Sequence, residues 1–74
     1  MFTDREVAAE AISLVTDAKD TLLRSMALVE SKCGPQEYAA YKTAVGRVVS
    51  TMLDEIVAPL YEENPSLKPE GWDG

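Results

Sequence analysis

Lys32-Cys33-Gly34-Pro35-Gln36-Glu37 decides the fold of this 74-residue chain. Lys32 places a cation in the last turn of a first helix, where it suits the negative end of the helix dipole. Gly34 is expected in the left-handed conformation just past that helix, and Pro35 cannot extend it. Proline is well placed, however, as the first residue of a new helix, with Gln36 and Glu37 in its opening turn. A connection this short makes the second helix double back on the first as an antiparallel αα-hairpin.

After the connection comes the most apolar periodic stretch, YAAYKTAVGRVVSTMLDEIV, residues 38–57. Tyr38, Tyr41, Val45, Val48, Met52 and Ile56 recur at three- and four-residue steps, which puts them on one helical face. Val49 and Leu53 widen that face beyond a single seam. Before the connection, Thr3 and Glu6 have capping-box spacing, and Phe2 and Val7 occupy the positions of a hydrophobic staple. Ala8, Ile12, Val15, Leu22, Met26 and Val29 then form a stripe with Val7, Leu14 and Leu28 beside it. Within it Ala11, Ala18 and Ser25 are small residues seven apart, a spacing that lets another helix approach closely. The plainer explanation of the alanines is helix propensity. Gly46 costs its helix about 1 kcal/mol against alanine, which also points to close approach.

Pro59 has no amide proton, and its ring meets the Glu55 carbonyl, so the second helix is expected to end or kink there. The expected organisation is a hairpin over residues 1–63, with helices at about 4–32 and 35–57 and a short helical turn at 59–63. An extended, acidic, proline-containing tail follows over 64–74. Both apolar faces are too wide for two helices to cover. The fold class expected is therefore all-α, a helical hairpin that dimerises into a four-helix bundle. Val15, Leu22, Met26, Val45, Val49, Met52 and Ile56 are its candidate core and dimer residues, and Ala11, Ala18 and Gly46 its candidate close contacts. The competing solution folds Leu60, Tyr61, Leu67 and Trp72 back to cover one monomer, with Leu67 and Trp72 as the tail's contacts.

Composition narrows the function. With 46% hydrophobic and 27% charged residues the chain is globular rather than disordered. Its net charge is −6, which gives nucleic-acid or anionic-membrane binding little electrostatic support. The excess lies late in the chain: residues 1–53 carry seven acids against six bases, and residues 54–74 six acids against Lys68. MFTDREVAAE has acids where a secretory signal carries bases, and no apolar run approaches the ~20 residues of a membrane span. A single cysteine fits a reducing compartment, and a cytoplasmic location is expected.

Chemistry is hard to place on these residues. There is no histidine, so no Ser-His or Cys-His pairing exists. Cys33 lies at a helix C-terminus, where the dipole disfavours thiolate, and reads as a small residue under the turn. Among the carboxylates only Glu55 falls at an inward register, one heptad after Val48; the others belong to solvated or salt-bridged surface. No cofactor or metal site is expected. Arg5, Lys19, Arg24, Lys42 and Arg47 do not gather into one stripe, which leaves a Rop-like RNA-binding bundle as an analogy of architecture. Tyr38 and Tyr41 are expected at the core edge with their hydroxyls in water.

The run AVGRVVSTMLDEIVAPLYEENPSLKPEGWD, with Pro59, Tyr61, Glu62, Pro65, Leu67, Lys68 and Pro69 at its characteristic positions, resembles the end of small bacterial helical proteins of unassigned function. The resemblance covers the second half of the chain and implies a small helical protein; it brings no activity with it. The sequence predicts a non-enzymatic interaction or regulatory module that self-associates as a homodimer and binds a protein partner. The alternative is an acidic inhibitor that mimics nucleic acid in the cleft of a basic protein.

Overall fold

The computed structural model describes residues 1–2 and 4–72. It is all-α, in the order α1 (Arg5–Lys32), α2 (Pro35–Met52), a π-helical turn (Leu53–Val57), α3 (Ala58–Glu63) and a 3₁₀ turn (Pro65–Leu67). Only Cys33 and Gly34 separate α1 from α2, and the helical hairpin forms. Both residues are extended, with φ −121° at Cys33 and φ −74° at Gly34. The left-handed Gly34 is therefore corrected, and Pro35 supplies the reason: a residue before proline is pushed toward extended backbone. A 28-residue α1 spans ~42 Å at the helical rise. The molecule measures 45 × 22 × 18 Å, the dimensions of two long helical arms side by side.

The cap of α1 is Asp4. Its Oδ1 accepts the amide protons of Glu6 at 3.0 Å and Val7 at 3.1 Å, two of the donors that a helix start leaves without partners. The capping box expected at Thr3 lies outside the described residues. With Asp4 as cap, Val7 becomes the third helical residue and is exposed, so the Phe2–Val7 staple is not the contact that fixes the entry.

The second arm does not stop at Pro59. Residues 53–57 adopt π-helical spacing, and the Ala58 amide donates to the Leu53 carbonyl five residues back. A turn of this kind widens the helix just ahead of the proline. The ring then has room where a regular α-turn would press it against the Glu55 carbonyl. The arm continues as α3 to Glu63, and the two arms become nearly equal in length.

That continuation makes the tightest packing in the molecule. Ala8 and Leu60 are fully buried, with Val57, Tyr61 and Asn64 buried around the same end. Ala8 is the one buried residue of α1, and a small side chain there leaves room for the second arm. Asn64 satisfies its side-chain amide on the Leu60 carbonyl at 3.3 Å. The chain ends are fastened across this end: Glu63 accepts the Met1 ammonium and, at 3.1 Å, the Phe2 amide. Arg5 Nε donates to Ser66 Oγ at 2.9 Å. Toward the turn, Val45 is the one buried hydrophobic residue of α2. Leu60→Ala is therefore expected to cost about 2–5 kcal/mol in urea denaturation, and Asp4→Ala about 1 kcal/mol.

Candidate functional site

The residues after α3 return to the hairpin. Lys68 leaves the 3₁₀ turn extended, and the Trp72 amide then donates to the Pro69 carbonyl at 3.1 Å. This closes a β-turn in which Gly71 has φ 87°, the left-handed third position that favours glycine. The turn brings the Trp72 ring edge-on to Tyr61, with centroids 4.8 Å apart and planes at 72°, a favourable aromatic geometry. Val15, Lys19, Leu53, Val57 and Pro69 line the same crevice. Leu67 is half-buried. The expected extended tail is corrected: through Trp72 it covers one flank of the hairpin.

The other flank is marked by a hydrogen bond. Ser25 Oγ and the Tyr41 hydroxyl lie 2.7 Å apart, and Ser25 also donates to the Leu22 carbonyl. A serine has one hydroxyl proton, so Tyr41 is the donor in the pair. The Tyr41 hydroxyl thus serves the inside of the hairpin rather than water. Ala11 and Ala18 precede Ser25 at seven-residue steps, and Val48 and Glu55 follow Tyr41 at the same step. Both rows therefore run along this flank. Leu14 and Val7 sit beside the α1 row, four residues before Ala18 and Ala11.

This flank is open. Val7 is 48% exposed, Leu14 62%, Leu28 58% and Val48 49%. Arg47, Val48, Thr51, Met52, Glu55 and Ile56 line a groove of about 310 Å³ there. That is at the lower limit for a small-molecule pocket. All six residues come from one arm, so the groove cannot enclose a ligand; it offers apolar surface. Glu55, expected at an inward register, is exposed at the groove's rim. The reason lies in its row: Val48, one heptad earlier, is itself on the open flank and not at the helix contact.

The candidate core residues divide by depth. Val45 is buried, while Val15, Leu22, Met26, Val49, Met52 and Ile56 are half-buried between the helices. Of the candidate close contacts, Ala11 is half-buried, and Ala18 and Gly46 are exposed. A Cβ on Gly46 would meet nothing within 4 Å, so the hairpin itself makes no close approach there. Cys33 is exposed rather than tucked under the turn, because the extended Cys33–Gly34 link carries it outward. Among the described residues no three His, Cys, Asp or Glu side chains gather as metal ligands. No buried side-chain nitrogen or oxygen among them lacks a hydrogen-bond partner. Nor is any helix among them long and apolar enough to cross a membrane.

Leu60 and Tyr61, expected to cover the monomer if the chain folds back, are buried, and Asn64 beside them is the buried residue that sequence reasoning missed. The step of three from Tyr61 to Asn64 continues the helical spacing, a signal hidden by the expected start of the tail at residue 64. Comparison with protein-family models, curated proteins and solved structures finds no match. The reading of function therefore rests on this chain's own surface.

Two substitutions check this arrangement. Gly46→Ala is expected to stabilise the fold by about 0.5–1 kcal/mol through helix propensity; a loss of stability instead would place another molecule against Gly46. Trp72→Ala is expected to destabilise by roughly 1–3 kcal/mol in thermal melts, from lost apolar burial and the Tyr61 contact.

Proposed function

We propose that the protein is a non-enzymatic interaction module that works as a self-associated helical bundle. The observation that carries this reading is an imbalance. Five hydrophobic residues are buried, while Val7, Leu14, Leu23, Leu28 and Val48 are 44–62% exposed along a hairpin of only two layers. Two amphipathic helices bury one stripe each, and stripes wider than that need further helices. A second copy supplies them, and the product is a four-helix bundle of two hairpins.

The composition supports binding rather than catalysis, since the chain has no histidine and a single cysteine. The open flank lacks the convergent polar groups that fix a substrate's orientation. Its recognition chemistry is apolar, suited to helices of a protein partner. A homodimer would present its remaining helix faces and acidic chain ends to such a partner. Light scattering across a dilution series is expected to give a mass near twice 8.1 kDa. Melting should fall with dilution, by about 1.4 kcal/mol of stability per tenfold step. A monomer whose melting is independent of concentration would overturn the reading.

A further inference from the structure

We infer that the surface for a second copy is the open flank opposite the tail, built on Val7, Leu14, Leu28 and Val48 with Ala11 and Ala18 between them. The inference rests on the self-association proposed above and adds which face makes it.

A folded monomer of 8.1 kDa is expected to expose ~4,500 Å². This chain exposes 5287 Å². The excess is about 800 Å², which is one partner's share of a standard protein–protein interface. A second copy burying that share would bring each protomer to the surface expected of a compact protein of its size.

The tail decides between the two flanks. Trp72 and Pro69 form one wall of a crevice of about 210 Å³ whose other wall is Val15, Leu53 and Val57, so on that side the chain's own tail lies over part of the hairpin. Thr16 and Lys19 line this crevice, and Leu23, one heptad after Thr16, continues the same row beyond it. The Ser25–Tyr41 side has no such cover, and it holds four of the five large apolar side chains that the helices leave exposed.

The shape of the open flank suits a copy of itself. Large Leu14 and Val7 alternate with small Ala18 and Ala11 along α1. Across a two-fold axis the large residues of one copy can then seat over the small residues of the other. Ala18, exposed in the single hairpin, acquires a packing role. Arg47 and Glu55 stand at the rim of the groove, where charges stay hydrated while the apolar centre is covered.

Equilibrium sedimentation of full-length variants tests the assignment. Leu14→Glu and Val48→Glu, on different helices, are each expected to raise the dimer dissociation constant at least about tenfold. Leu23→Glu, on the tail side, is expected to leave it within about twofold. Both target side chains are largely exposed in one chain, so circular dichroism should keep its helical signal. Leu14→Gln and Val48→Thr give the same ranking without adding charge, which guards against a variant that unfolds. Wild-type affinity in either open-flank glutamate variant, or a loss confined to Leu23→Glu, would overturn the face while a dimeric wild type kept the self-association reading. A monomeric wild type would end both.

Discussion

The rest of the structure depends on one backbone bond, the Ala58 amide to the Leu53 carbonyl. It opens a π-helical turn ahead of Pro59 and lets the second arm run through a residue that normally stops a helix. Without that turn, Leu60 and Tyr61 would not lie in line with α2, Ala8 would have nothing to pack against, and the tail would have no place to return to. A local change of hydrogen-bond spacing thus sets the register of the end where most of the buried side chains of the described residues gather.

The consequence is an uneven molecule. At the end that holds Met1 and Phe2, Ala8, Val57, Leu60, Tyr61 and Asn64 are buried, Glu63 fastens the first two residues, and Ser66 fastens Arg5 at the start of α1. Toward the connection the helices touch through half-buried residues, with Val45 the buried exception. The two flanks also differ. Trp72 lies over one, against Tyr61, and the other keeps its apolar rows in contact with water. An exposed apolar row on a small domain is the kind of surface that association covers. This joins the fold to its proposed role: in the proposed dimer the tail lies on the face that the second copy leaves free.

Much of the fold was legible in the residues. The Cys33-Gly34-Pro35 break and the three- and four-residue apolar periods on either side of it lead directly to the hairpin. The expectations that failed share a cause. Gly34 and Glu55 were each read by a rule about one position, and each was decided by its neighbours: Pro35 holds Gly34 extended, and the Val48 row carries Glu55 outward. At Pro59 the expected break takes the form of a π-turn ahead of the proline, followed by the short helix over 58–63. Trp72 illustrates the same limit. Its burial was one of two solutions until Gly71 turned the chain back onto Tyr61.

By itself the sequence determined the two helical arms and their antiparallel connection, because helix periodicity and proline sterics act over a few residues. Only the tertiary structure decided that a π-turn joins the second arm to its last helix, that the tail lies over one flank, and that the Leu14–Val48 flank stays open. Those outcomes turn on contacts between distant parts of the chain, such as Phe2 with Glu63, 61 residues apart. Their strength comes from which surfaces meet, and no local spacing encodes that.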